Sequence, residues 1–192
     1  MRIEPTDVRL GNGETCHLRS PEPGDAAAML AHARRIAEET EFVTSYRDEI
    51  DVTIEDEIDL IDRFTASVFQ LCVLAFVGAR LVGVCMIRAK GSRRKLRHRA
   101  DLGISVEKDH WHLGVGRALL ETSLEAARQL EITQIELAVY ETNERAKRLY
   151  ERFGFREAGF LPNAARLKDG RVLGEYLMYR PTDANGLTKE DA

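Results

Sequence analysis

The succession of apolar patterns predicts an α/β domain, in which a mixed β-sheet carries helices on both of its faces. Strand-like and helix-like segments follow one another in the order β-α-α-β-β-β-α-β-α-β-β, and no segment repeats. The chain has 192 residues, of which 44% are hydrophobic and 31% are charged, so it can bury the core of one folded domain. We place this domain at residues 15–180 and expect the polar tail at 181–192 to be disordered.

The N-terminal third predicts one strand and two helices. The strand lies at residues 15–19. Asp25 can then cap a helix over about 26–38, because the apolar positions that follow it have helical spacing. Thr53 begins a second helix, with Asp56 at the position of a capping-box partner.

The middle of the chain predicts a buried hairpin and one further strand. Phe69–Phe76 and Leu81–Arg88 are β-rich runs joined by four residues that form a hairpin signal. An arginine, Arg80, interrupts this longest apolar stretch, and an Arg near a bilayer centre is costly, so a membrane span is not indicated. The next strand is predicted at Ala100–Val106.

The C-terminal part alternates helices and strands. A left-handed residue is commonly needed where a helix ends, and Gly154 meets that need at the end of the last helix. The remaining elements are a helix from Leu113 to about Leu130, a strand at Gln134–Tyr140, a helix at Asn143–Phe153 and closing strands at Phe155–Leu161 and Leu173–Arg180.

Composition argues against several classes of protein. Lys and Arg total 28 against 32 Asp and Glu, giving a net charge of −4 without a basic excess for wrapping nucleic acid. No apolar run follows the first charged residues, so no secretory signal is indicated. The three cysteines, which are odd in number and far apart, predict reduced core thiols in a cytoplasmic protein. No metal site is expected, because no nearby Cys or carboxylate completes a ligand set around His110 and His112.

Two glycines point to an anion-binding loop. Gly114 and Gly116 follow a strand and open a helix, where free backbone amides and the helix dipole favour negative charge. Arg117 adds a positive side chain in the first turn. A nucleoside-triphosphate loop would need Lys-Ser or Lys-Thr after the glycines, and a dinucleotide fingerprint would need a third glycine where Leu119 stands. A plain tight turn is the alternative at this point.

A second segment resolves that choice through a family resemblance. Residues 143–159 fill every fixed position of the pattern N-x-x-A-x-x-L-Y-x-x-x-G-F-x-x-x-G, which resembles the GCN5-related N-acetyltransferase (GNAT) superfamily. The family's upstream pattern, R/Q-x-x-G-x-G/A, is matched by Gly114 and Gly116 but departs at Trp111. The resemblance runs from about His17 to Arg180 and implies a V-split central mixed sheet with helices on both faces.

The resemblance also implies where acetyl-CoA would bind, as a cosubstrate and without a metal. The pantetheine would pair with the strand at 102–106, and Asn143 would bond the pantetheine arm. The cofactor-binding residues implied in this way are Ile104, Ser105 and Val106 on the strand, Leu113, Gly114, Val115, Gly116, Arg117 and Ala118 in the pyrophosphate loop, and Asn143.

Catalytic roles follow from the same resemblance. The main-chain N–H of Val106 would polarise the acetyl carbonyl, and Tyr150 would protonate the departing thiolate. A base must take the proton of the attacking nitrogen, and Glu107, Tyr140 and a water relay are the open alternatives. A packed core position is the other interpretation of Tyr150.

The activity implied is acetyl-CoA-dependent N-acetyl transfer to a primary amine, by direct transfer in a ternary complex. The acceptor would be a small cationic amine, or the N-terminus or a lysine of a protein. Residues 38–62 hold eleven acids and one Arg, either an acidic rim that attracts such an amine or a solvated helix face. A non-catalytic GNAT-fold module that binds acyl-CoA as a sensor or scaffold is the alternative function. The family makes a homodimer plausible, whereas membrane and nucleic acid are not expected as partners.

Overall fold

The computed structural model describes residues 1–91, 93–130 and 132–182, and an eight-stranded mixed sheet forms the centre of this part. The strands are β1 (Thr6–Arg9), β2 (Thr15–Arg19), β3 (Gln70–Val77), β4 (Arg80–Ala89), β5 (Arg99–Val106), β6 (Gln134–Tyr140), β7 (Arg156–Arg166) and β8 (Val172–Pro181). The helices are α1 (Ala26–Glu39), α2 (Ile54–Ala66), α3 (Val115–Ala127) and α4 (Glu144–Arg152). Across the sheet the strand order is β1-β2-β3-β4-β5-β6-β8-β7. The mixed sheet and its helices confirm the predicted fold class. Pro181 ends β8 and Thr182 is buried, so these two residues do not belong to the disordered tail expected at 181–192; from residue 183 onward this tail lies outside the described residues.

Helices cover both faces of the sheet, as expected, and the alternation along β4 shows this directly. Val84 and Met86 join the apolar cluster under α1 and α2, whereas Cys85 and Ile87 join the cluster under α3. Successive side chains of a strand point to opposite faces, so the two helix layers lie on opposite sides. All three cysteines are buried free thiols.

β5 and β6 separate soon after they begin, and this opens the sheet into a V. Within the described residues their parallel pairing is confined to Arg99–Asp101 against Gln134–Glu136. β5 stays paired with β4 up to Val106, and β6 stays paired with β8 along its whole length. The facing edges of β5 and β6 beyond the apex of the V therefore leave backbone groups available to a ligand.

Charged side chains hold the apex of the V. The carboxylate of Glu136 pairs with the Arg99 guanidinium and lies 3.0 Å from Lys90 Nζ, which also lies 2.7 Å from Asp101. Burial opposes ionisation, but the hydrogen bonds from Arg99, Gln134 and Lys90 outweigh it and lower the pKa of Glu136 to about 2. The two strands are thus joined where they still run side by side.

Local sequence signals account for most helix ends. The Thr53 hydroxyl accepts a hydrogen bond from Asp56 N, and the Asp56 carboxylate accepts one from Thr53 N, which confirms the predicted capping box. Asp25 does not cap α1 through its side chain. It accepts hydrogen bonds from Arg19 and from Glu22 N instead, because a short 3-10 turn at 23–25 precedes the helix.

Two features of the strands escape the sequence pattern. β1 was not expected, because three of its four residues are exposed and show no apolar alternation; it is fixed by pairing with β2 and by the buried Leu10. β7 was expected to end at Leu161 but continues to Arg166, with an irregularity in its pairing that accommodates Asn163 at φ 57°. None of the helices in the described ranges has the length and apolar character needed to cross a bilayer.

Candidate active site

A cleft of about 1320 Å³ fills the opening of the V between β5 and β6. We call its two ends the helix end, lined by the first turn of α3 and by α4, and the loop end, lined by the C-terminal half of α1 and residues 40–44. The volume exceeds the ~300–1000 Å³ of a typical small-molecule site, so the cleft can hold a long ligand together with a second molecule. In residues 1–91, 93–130 and 132–182 no cluster of three His, Cys, Asp or Glu side chains could hold a metal ion.

The glycine loop at the helix end has the backbone conformation of an anion site. Gly114 is the N-cap of α3 and is left-handed, with φ 102°. A Cβ at this position would meet no atom within 4 Å, so glycine is needed here for its conformation and not for space. At Gly116 a Cβ would lie 3.3 Å from the Leu149 side chain, so this glycine lets α3 approach α4 closely. Gly114, Gly116 and Arg117 line the cleft, and the free amides of a helix's first turn favour an anion there.

Trp111, the departure from the family pattern, has two specific contacts in the cleft wall. Its indole N–H donates to the carbonyl of Val106 at 2.7 Å. The guanidinium of Arg145 lies 3.4 Å from the centre of its ring, a cation–π geometry. Both residues line the cleft, so α4 supplies a positive charge beside the motif position that lacks one.

This contribution of α4 was not predicted from the sequence. Arg145, Arg148 and Arg152 all line the cleft, at spacings of three and four residues that place them on one side of a helix. That spacing is visible in the sequence and was a usable signal. Together with Arg117 they give the helix end several cations around the α3 amides.

Asn143 and Tyr150 are brought into the cleft wall from α4. Asn143 is the N-cap of α4, and its Oδ1 accepts from Ala146 N at 3.2 Å; it also lines the cleft. Tyr150 is buried, with its ring 5.8 Å from that of Phe155, yet it too lines the cleft. Burial raises the pKa of the Tyr150 phenol, so it keeps its proton at neutral pH. Tyr150 is therefore a packed core residue and, at the same position, a candidate proton donor to a ligand in the cleft.

A sequence model of the Acetyltransferase (GNAT) family matches residues 28–155, which is more than half of the chain. The chain belongs to this family. A GNAT-family acetyltransferase from Streptococcus pneumoniae is similar in structure, with a TM-score of 0.83, 30% identity, and coverage of 86% of this chain and 98% of that one. A phosphinothricin acetyltransferase from Sinorhizobium meliloti, solved with acetyl-CoA, has the same fold at 18% identity, with a TM-score of 0.78 over 94% of this chain and 92% of that one.

A mycothiol acetyltransferase from Acidimicrobium ferrooxidans is 35% identical over 83 residues. The match covers 43% of this GNAT chain and 27% of the relative. The chain thus spans only about a quarter of the length of that relative.

The structure places Glu107 in a different setting from the one expected of a base. Its carboxylate is buried behind β5, paired with the Arg80 guanidinium and 3.1 Å from Arg35 Nε. His32 Nδ1 lies 3.9 Å from Glu107 Oε1, and His110 Nδ1 lies 4.0 Å from Glu107 Oε2. Glu107 is not part of the described cleft wall, because its position just past the end of β5 directs it under α1. Of the alternatives for the base, direct proton transfer to Glu107 is therefore not favoured by its position.

The loop end of the cleft combines an apolar wall with two polar side chains, those of Tyr140 and Glu175. Phe42 and Val43 form part of the wall, and Tyr140 and Glu175 face each other in the β6–β8 register. Burial, the carboxylate of Glu175 and the phenol of Tyr46 raise the pKa of Tyr140. Tyr140, unlike Glu107, lies in the cleft wall. Its raised pKa keeps the phenol protonated, so a role as the base stays a prediction.

The acidic stretch does not line the cleft. Glu41 lies 2.6 Å from Arg171 and Asp48 lies 2.9 Å from Lys168, so both carboxylates join the loop after α1 to the β7–β8 hairpin. Glu39 accepts from the backbone N–H of Lys108 at 2.7 Å. From residues 38–62 the cleft wall takes only Thr40, Phe42, Val43 and Thr44. Glu39, Glu41 and Asp48 are thus used in local contacts, and an acidic rim around the acceptor site stays a prediction.

Proposed function

We propose that this GNAT protein transfers the acetyl group of acetyl-CoA to a primary amine, by direct attack in a ternary complex. The observation that supports it best is the cleft itself. A cationic helix end with free amides suits the pyrophosphate, and a separate loop end leaves room for an acceptor. The two ends meet beside the end of β5, where the transferred group would lie.

Acetyl-CoA would bind along the open edge of β5. The backbone of Ile104, Ser105 and Val106 would pair with the pantetheine, and Asn143 would bond it from α4. The amides of residues 113–117 would hold the pyrophosphate, assisted by Arg117 and Arg145. The N–H of Ala118, which was also expected to contribute, already donates to Gly114 O at 3.0 Å. Acetyl-CoA bound to the Sinorhizobium meliloti protein, which has the same fold, supports this assignment.

The N–H of Val106 is suited to stabilise the oxyanion. Glu107 N donates to Val82 O of β4 at 2.9 Å, and N–H groups of adjacent residues in a strand point to opposite sides. The N–H of Val106 therefore points away from β4, toward the opening of the V. Trp111 donates to the carbonyl of the same residue, which belongs to the following peptide, and so holds the backbone next to this N–H. A preorganised donor of this kind contributes ~10²–10³ to the rate in a protease oxyanion hole.

Tyr150 would protonate the CoA thiolate as it leaves, since burial keeps its phenol protonated. The apolar wall at Phe42 and Val43, beside the carboxylate of Glu175, favours an amine that carries an apolar group. A small cationic amine and the N-terminus or a lysine of a protein all meet this description. A cytoplasmic location and a homodimer stay predictions from the sequence.

The test is an acceptor screen. Thiol release from acetyl-CoA is followed with phenethylamine, leucine amide, spermidine and an alanyl peptide, and the acetylated product is identified by mass spectrometry. We expect at least one amine to accelerate thiol release, with intersecting initial-rate plots for the two substrates. Tight acetyl-CoA binding by calorimetry without acceleration by any amine would favour the non-catalytic sensor or scaffold.

A further inference from the structure

A serine and a histidine form a hydrogen-bonded pair on the side of β5 that faces α1. Ser105 Oγ and His32 Nε2 are 2.8 Å apart, although the two residues are 73 positions apart in the chain. Ser105 is opposite Val84 in the β4–β5 register, and the side chain of Val84 lies in the cluster under α1 and α2. Ser105 therefore points to the α1 face while also lining the cleft.

His32 is held as a neutral imidazole. It is 4% exposed, and burial, together with the charges of Arg35 and Arg80, lowers its pKa to about 4. In a neutral imidazole one ring nitrogen carries a proton and donates a hydrogen bond, and the other ring nitrogen accepts a hydrogen bond. His32 can therefore act as a hydrogen-bond acceptor toward Ser105 at physiological pH.

The surroundings assign the tautomer. Nδ1 of His32 is buried and has no hydrogen-bond partner in the described part of the chain, and the nearest carboxylate oxygen is Glu107 Oε1 at 3.9 Å. A proton on Nδ1 faces this negative charge and leaves Nε2 free to accept from the hydroxyl of Ser105. From the cleft inward, Ser105 thus comes first, His32 second and Glu107 third.

We propose that Ser105 takes the proton of the attacking amine nitrogen while its own hydroxyl proton passes to His32 Nε2. This rests on the proposed acetyl transfer. As the neutral amine forms the C–N bond, the C–S bond breaks and the thiolate takes a proton from Tyr150. Ser105 regains a hydroxyl, and the imidazolium of His32 faces Glu107. The imidazolium then returns its proton through Ser105 to water and Tyr150 takes one from water, so the cycle is balanced.

The proposal gives the buried residues distinct roles. Ser105 touches the substrate and is the catalytic residue, whereas His32 acts through it as a positioning residue that accepts the relayed proton. Glu107, which lies under α1 and away from the cleft, is the carboxylate that Nδ1 of His32 faces at 3.9 Å. The same pair could instead make Ser105 a nucleophile that carries the acetyl group, and the experiment separates these two roles.

The test compares Ser105→Ala, His32→Gln and the double variant, using whichever of phenethylamine, leucine amide, spermidine and the alanyl peptide gives the highest kcat/KM. We expect each single variant to lower kcat ~10²-fold, the scale of general-base catalysis, with an unchanged acetyl-CoA Kd. The double variant should be about as slow as either single one, because the two residues act as a unit. Ser105→Thr, which keeps a hydroxyl, should retain most of the activity.

Ser123→Ala is the matched control, because it removes a buried hydroxyl from α3 that lies outside the cleft wall; it should leave kcat unchanged. Urea unfolding verifies that all variants fold. Wild-type kcat in Ser105→Ala, or multiplicative losses in the double variant, would overturn the relay. So would an acetylated Ser105 detected by mass spectrometry without amine. A wild-type protein that binds acetyl-CoA but acetylates none of the four amines would instead overturn the proposed function.

Discussion

Lowering the pH from 6.5 to 4 should destabilise this protein through one buried imidazole. His32 is 4% exposed, and Arg35 and Arg80 add positive charge near it. The Glu107 carboxylate lies 3.9 Å from its Nδ1, and His110 lies 4.0 Å from the same carboxylate. The unfolded chain binds a proton at this histidine below pH 6.5, whereas the folded chain resists it until about pH 4. Its contribution to stability is therefore complete above pH 6.5 and is lost as the pH falls toward 4.

The size of this loss follows from the pKa difference between the two states. The pKa of His32 changes from 6.5 to about 4 on folding. At about 1.4 kcal/mol for each pH unit, the largest loss is about 3 kcal/mol. A domain of this kind is stable by about 5–15 kcal/mol in total, so the effect should be easy to measure.

Urea unfolding of the wild type and of His32→Gln at pH 7, 6, 5 and 4.5 measures it. Glutamine can still contact Ser105 but does not titrate, so the free energy of unfolding should fall more steeply with acid in the wild type. Glu136, with its pKa of about 2, contributes stability that is lost only below pH 4.5, and it is present in both proteins. Parallel pH profiles for the two proteins would refute the neutral buried imidazole.

Three further predictions concern the cleft. Tyr150→Phe keeps the packed ring and removes the hydroxyl, so kcat should fall ~10²-fold with an unchanged acetyl-CoA Kd; wild-type turnover would leave Tyr150 as a core residue only. Gly114→Ala strains a backbone at φ 102° and should raise the CoA Kd ~10-fold. The control Gly170→Ala, at φ 89° in a distant turn, should leave the Kd unchanged. Equal CoA affinities of the two variants by calorimetry would contradict the phosphate role of Gly114. Arg145→Leu removes the cation over Trp111 and should both weaken CoA binding and reduce its dependence on salt; an unchanged salt dependence would show that Arg145 does not face the phosphates.

The sequence by itself determined the elements whose signals are local. β6 was predicted with the bounds that the structure shows, because apolar alternation indicates a strand directly. The capping box of Thr53 and Asp56 and the turn at Gly114 depend on residues within a few positions of one another. The glycine loop and the pattern from Asn143 onward sufficed to indicate the family, since both place backbone and side chains at fixed short spacings.

Only the tertiary structure decided which polar groups face the cleft. Glu107 follows β5 directly in sequence, yet it is buried beside Arg35 and Arg80 and away from the cleft wall. Ser105 meets His32 across 73 residues, and Arg145 reaches Trp111 from a later helix. Spacing along the chain cannot show these contacts, because they arise when α1 and α4 pack against the opened sheet. That packing removes water from the side chains, and desolvation then sets their charge and their chemistry.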